Sequence, residues 1–191
     1  MLSALRCAVA VALVALSAHV ANALDVPKEK QTKLGLYLSA KDAYDVVTTE
    51  RSKVLFVDVR TREEVQFLGY AGDIDGHVPL VELSPGGEWD EKGSKLKLDP
   101  NPLFGATIAA LASKKGLGKA DKIVLMCRSG DRSARGVNLL ADAGFTNVWS
   151  EIEGFEGDLS ADGRRTVNGW KNAGLPWTYK LDKSKMAAPS P

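Results

Sequence analysis

One thiol stands where its neighbours could use it. In Lys122–Gly136, KIVLMCRSGDRSARG, an apolar run stops at Cys127, and Arg128, Ser129, Gly130, Asp131 and Arg132 follow before a helical pattern sets in. A loop leading from a strand into a helix N-terminus aims several backbone N–H groups at one point and so binds anions. The small Ser129 and flexible Gly130 let such a loop close around a single atom. A sulfur at its base would be held as the thiolate, the nucleophilic form. A helix end typically adds only about 0.3–1 kcal/mol in favour of an anion. The loop N–H groups and the charges of Arg128 and Arg132 are therefore expected to supply most of the activation. Cys127 reads as the nucleophile and residues 128–132 as its anion-binding loop. The competing reading, a small core residue at a strand end, leaves two arginines, a serine and a glycine around the thiol without a reason.

Other chemistries are short of residues. The 191-residue chain holds two cysteines and two histidines. Met1–Arg6 with the apolar run Cys7–Ala18 and the small residues Ala21 and Ala23 reads as a secretory signal cut after Ala23. That run is shorter than the roughly 20 apolar residues a membrane span needs, so no lasting membrane association is expected after cleavage. Cys7 and His19 leave with the signal, and Cys127 and His77 remain. One cysteine permits no internal disulfide, and one Cys with one His makes no zinc site. No metal and no cofactor are expected. A formal charge of +1 argues against nucleic acid as a partner. The expected location is the periplasm, where an unused thiol is a liability.

The rest of the chain has to hold that loop. Residues 24–33 read as a loose arm. LGLYL (Leu34–Leu38), KVLFVDVR (Lys53–Arg60), HVPLVEL (His77–Leu83), KIVLM and NVWSE read as strands, the central ones apolar almost throughout, as in a parallel sheet covered on both faces. Ser39 caps a helix reaching about Thr49, TREEVQFLGY continues as a short helix, and Asn101-Pro102 opens a helix to about Lys115 with Gly116 as its stop. Ser133–Ala143 has helical spacing, and GWKNAG reads as a last short helix. Ser84–Asn101, rich in Gly, Pro and charge, reads as a surface hairpin. Alternating strands and helices predict one α/β domain over 34–181, with a central parallel sheet flanked by helices on both faces. Ligands of such sheets bind beyond the carboxyl ends of the strands, where Cys127 falls. Residues 182–191 read as a disordered tail.

Five blocks in order resemble a single-domain rhodanese, a sulfurtransferase of the thiosulfate type: LFVDVRTREEV, GHVP, CRSGDRS, GFTNVWSEIEGF and GWKNAGLPW. The resemblance implies that Cys127 takes the outer sulfur of thiosulfate or a related anionic donor as a persulfide, and passes it to cyanide, a thiol or an acceptor protein. It places Arg128, Ser129, Gly130, Asp131 and Arg132 around that sulfur, with Asp58 and Arg60 as a structural ion pair near the floor. A monomer is expected. Four residues separate Cys127 from Arg132, one fewer than in the Cys-x5-Arg loop of cysteine phosphatases, so a phosphatase or arsenate reductase is the weaker alternative. A non-enzymatic binding module of the same fold is another, though such modules usually lose the cysteine. Asp131 is a departure, because a carboxylate pointing inward would repel anions. The Ser84–Asn101 insert exceeds what the fold needs and is expected to rim the pocket or dock a partner, with Trp89 a candidate cover for a donor. His77 is expected to make a structural hydrogen bond.

Overall fold

The computed structural model describes residues 26–186. The expected signal over residues 1–23 and the last five residues lie outside this range. Nine strands and four helices follow in chain order: β1 (Tyr37–Leu38), α1 (Ala40–Thr49), β2 (Val54–Asp58), α2 (Arg62–Leu68), β3 (Gly76–His77), β4 (Val81–Leu83), β5 (Trp89–Asp90), β6 (Lys95–Leu96), β7 (Leu98–Pro100), α3 (Phe104–Lys114), β8 (Lys122–Met126), α4 (Asp131–Asp142) and β9 (Val148–Glu151). Five strands form one parallel sheet in the order β1-β9-β8-β2-β3.

Alternation along the central strands divides the core in two. Leu55 and Val57 of β2 with Ile123 and Leu125 of β8 meet Phe104 and Ile108 of α3 and Val137 and Leu140 of α4. Val54 and Phe56 with Val124 and Met126 face the other way, onto Ala43 and Val47 of α1, Val65 of α2 and Trp170. The sheet is therefore covered on both faces, and its middle strand β8 ends beside Asp58, in register with Met126. Two capping boxes start the first two helices, Ser39 with Asp42 and Thr61 with Glu64, each satisfying N–H groups the helix leaves open.

Several expected boundaries move. The first strand is confined to Tyr37–Leu38. HVPLVEL is not one strand: Pro79 donates no N–H, and beyond it Val81–Leu83 leaves the sheet to pair antiparallel with β7. β5 and β6 pair antiparallel in a separate two-stranded sheet, Trp89 opposite Leu96 and Asp90 opposite Lys95, so Ser84–Asn101 is a hairpin. Asn101 accepts a hydrogen bond from the Leu103 N–H at 2.9 Å, and α3 begins only at Phe104. GWKNAG forms a single turn, with the Ala173 N–H donating to the Gly169 carbonyl at 2.9 Å, because six residues between two glycines cannot propagate a helix.

Among the described residues, Lys30 of the expected loose arm and residues 183–186 at the start of the expected disordered tail are tied down. The Lys30 ammonium is buried and donates to Asp158 at 2.7 and 2.9 Å and to the Ile152 carbonyl at 3.0 Å. Lys183–Lys185 makes a 3-10 turn, Lys185 donates to the Gly72 carbonyl at 2.6 Å, and Met186 bridges to His77. Hydrogen bonds and burial decide order at chain ends, whatever their composition.

Candidate active site

The site is built where β8 runs out. Cys127 follows the buried strand Lys122–Met126 and is 1% exposed. Gly130 caps α4 with φ +98°, a left-handed conformation open to glycine without penalty. A side chain there would also overlap the Ile152 carbonyl. This turn directs the Gly130 N–H onto the Cys127 Sγ at 3.1 Å. The following N–H groups of α4 have no acceptor within their own helix, so the sulfur sits at the edge of a donor-rich pole.

A second segment holds this loop from behind. The Phe155 N–H donates to the Cys127 carbonyl at 2.8 Å, and those of Glu156 and Gly157 donate to the Arg128 carbonyl at 3.0 and 3.2 Å. In a trans peptide the N–H points opposite to the C=O. Anchoring these two carbonyls therefore turns the Arg128 and Ser129 N–H groups away from the 155–157 segment. Gly154, at φ +78°, lies so close that a Cβ would overlap the Arg128 carbonyl and the Ser129 nitrogen. The segment is held in turn by Glu151, whose carboxyl accepts from the Glu153 N–H at 2.9 Å and the Gly154 N–H at 2.7 Å. Complete burial pushes this carboxyl from its ordinary 4.5 up to about 8, against those two bonds.

Arg132 does not point its guanidinium into a free cup. Its two terminal nitrogens meet the two Glu64 oxygens, both at 2.6 Å, and the Thr61 N–H adds a third bond to Glu64 at 2.8 Å. Burial pulls the Arg132 pKa down, but the Glu64 carboxylate prevails and holds it above its ordinary value, with Cys127 adding to the effect. Burial likewise opposes the charge of Glu64, and Arg132 outweighs it, so this carboxyl titrates below its ordinary value. Arg128 lines the cleft and has no ion pair within 4.0 Å among the described residues.

The cleft over the sulfur measures about 630 Å³. The active loop with Thr61 and Glu64 forms one side, and the 81–100 hairpin forms the other through Leu83, Leu96, Leu98 and Pro100. The insert thus rims the pocket. Trp89 does not line it and is exposed, while its cross-strand partner Leu96 does.

Of the residues read from the sequence, Cys127, Arg128, Ser129, Asp131 and Arg132 all line this cleft, and Gly130 lies buried beneath it. Asp131 is the exposed first residue of α4, where a carboxylate suits the helix dipole. Asp58 and Arg60 lie outside the cleft. They are fully buried and bonded to one another at 2.6–3.1 Å, with Arg60 also donating to the Gly69 carbonyl at 2.9 Å. The Arg60 guanidinium lies 4.0 Å from the Phe155 ring centroid, so the pair steadies the segment behind the active loop. His77 makes its structural hydrogen bond, Nε2 donating to the Arg60 carbonyl at 2.7 Å, from strand β3. Three participants escaped the sequence reading. Glu64 lay in a segment read only as a short helix, Glu151 at the end of a strand candidate, and Lys30 in the arm.

Residues 39–161 match the family model of the Rhodanese-like domain, and the chain belongs to that family. The uncharacterized protein RP600 of Rickettsia prowazekii is 30% identical over 137 residues, covering 72% of this chain and 92% of its own. A related protein of Rickettsia conorii, RC0915, is 28% identical over the same shares. Among solved structures, Rv0390 of M. tuberculosis superposes with a TM-score of 0.52 at 25% identity, over 75% of this chain and 97% of that one.

Proposed function

We propose that this protein is a sulfurtransferase that carries a sulfane sulfur on Cys127. The observation that carries the reading is the Gly130 N–H directed at the Cys127 sulfur, 3.1 Å away, at the pole of α4 and at the base of a cleft. The Cys127 thiolate attacks the outer sulfur of thiosulfate or a related donor. The donor S–S bond breaks, and its electron pair leaves with sulfite. The charge now resides on the outer sulfur of a Cys127 persulfide, within reach of the N–H groups at the start of α4. An acceptor nucleophile then attacks that outer sulfur, and the electron pair of the Cys127–sulfur bond returns to Cys127. Arg128 attracts the anionic donor. Arg132, committed to Glu64, fixes the loop. Export to the periplasm, with cleavage after Ala23, belongs to the same proposal.

The test is intact mass after incubation with thiosulfate. A gain of one sulfur, removed by dithiothreitol and absent in Cys127→Ser, supports the reading. No adduct with thiosulfate or any other sulfane donor overturns it in favour of a binding module.

A further inference from the structure

The arm ahead of β1 reaches the turn that is aimed at the sulfur. Lys28–Lys30 forms a 3-10 turn, closed by the Lys30 N–H on the Pro27 carbonyl at 2.8 Å. Lys28 and Glu29 are exposed, whereas Lys30 is buried. Burying an ammonium is costly unless its donors find acceptors. Lys30 finds them in the two Asp158 oxygens, at 2.7 and 2.9 Å, and in the Ile152 carbonyl at 3.0 Å. A side chain at Gly130 would overlap both that carbonyl and the Lys30 Cδ. The carbonyl and the lysine stem therefore form the surface directly beneath the glycine whose N–H meets Cys127 Sγ at 3.1 Å. The peptide between Ile152 and Glu153 is gripped at both ends. Its carbonyl accepts from Lys30, and its N–H, pointing the opposite way, donates to Glu151 at 2.9 Å. The arm has other attachments that need no buried charge. The Thr32 N–H donates to the Tyr37 hydroxyl and the Lys33 N–H to Asn138, each at 2.8 Å. Fastening the arm thus leaves the buried ammonium without a reason.

Resting on the persulfide reading above, we infer that Lys30 is a positioning residue for sulfur transfer: its ammonium fixes the Ile152 carbonyl and its stem supports Gly130, so that the Gly130 N–H stays directed at Cys127. A charge-assisted bond holds that carbonyl more firmly than a neutral donor would. Lys30 does not line the cleft and lies ahead of residues 39–161, which carry the family match. It touches neither donor nor acceptor. Its effect therefore falls on the step in which charge develops on the sulfur, and donor binding stays with Arg128 on the cleft side.

Lys30→Met keeps an unbranched stem and removes the donor. Single-turnover loading of Cys127 at saturating thiosulfate should slow about tenfold, with the half-saturating thiosulfate concentration little changed. At fixed pH, iodoacetamide should alkylate Cys127 more slowly in this variant, and the Gly130 amide should exchange its hydrogen faster by NMR. Because Asp158 without its partner can itself unfold the protein, Lys30→Met combined with Asp158→Asn is measured alongside and should show the same loss. Lys33→Met, on the arm but outside this contact, should load at the wild-type rate. Wild-type loading, alkylation and exchange rates in the Lys30 variants overturn the inference. So does a loss carried only by the half-saturating concentration, or one shared equally by Lys33→Met. Failure of thiosulfate to load even the wild-type protein counts against the persulfide reading alone. Slower alkylation and faster Gly130 exchange in the Lys30 variants would then still support the role of Lys30.

Discussion

Arg132 and Glu64 meet through two hydrogen bonds of 2.6 Å each, 68 residues apart in the chain. A planar guanidinium matched to both carboxylate oxygens is the strongest geometry such a pair adopts. Here it joins the first turn of α4 to the first turn of α2. The arginine nearest the loop's end thereby becomes a strut, and the proposed function leaves donor attraction to Arg128.

The two arginines should fail differently. Arg128→Ala is expected to raise KM for thiosulfate roughly 10–150-fold with a smaller effect on kcat, as for a lost charge-assisted contact of about 1.5–3 kcal/mol made equally in ground and transition states. Arg132→Ala should lower kcat and also destabilise the fold, since it leaves Glu64 part-buried without its partner. A double-mutant cycle with Glu64→Gln, read by urea unfolding, should show a coupling of about 0.5–3 kcal/mol. Additive effects of Arg132→Ala and Glu64→Gln would remove the strut from the account.

Glu151 gives stability an unusual pH dependence. Between its ordinary 4.5 and about 8 the folded chain keeps a proton on this carboxyl that the unfolded chain loses. Its contribution is full below pH 4.5 and declines as pH rises to about 8. Against Glu151→Gln, which stays neutral, wild-type stability should fall by up to about 1.4 kcal/mol per pH unit between pH 5 and 8. Urea unfolding of both proteins across that range is the measurement, and parallel profiles would contradict the assignment. The comparison is needed because burial also lowers the pKa of His77, even though Asp58 raises it. That makes wild-type stability increase with pH up to about the ordinary histidine value.

Gly154 and Gly163 offer a matched pair, with φ of +78° and +79°. Alanine at either place incurs about 1–2 kcal/mol of left-handed strain. Around Gly163 there is open space, whereas at Gly154 the new Cβ strikes the backbone of Arg128 and Ser129. Gly154→Ala should therefore cost about 1–3 kcal/mol more and depress sulfur transfer, with Gly163→Ala retaining activity. Equal stability losses with both proteins fully active would show that the 151–157 segment does not set the loop.

The export proposal has its own test. N-terminal sequencing of the protein released by cells should begin near Leu24. An intact Met1, or a protein retained in the membrane fraction, would reject cleavage after Ala23.

What the chain announces by itself is local. The apolar run Ile123–Met126, the thiol directly after it, and the small, flexible residues before Ala134 specify strand, turn and helix within fifteen positions, because propensity, alternation and capping act over a few residues. They were enough to place Cys127 at the carboxyl end of a central strand and residues 128–132 around it. The same locality explains the misreadings. HVPLVEL looked continuous until the sheet and the hairpin divided it at Pro79, and the start of the tail looked disordered although Lys185 and Met186 find partners at Gly72 and His77. Only the tertiary structure sets Glu64 against Arg132, Lys30 against Asp158, the Glu151 carboxyl behind the loop, and Leu96 in the same cleft as Arg128. Those pairings join residues from different crossovers of the sheet, and no periodicity along the chain encodes which distant charges or apolar residues a parallel sheet will bring to the same end.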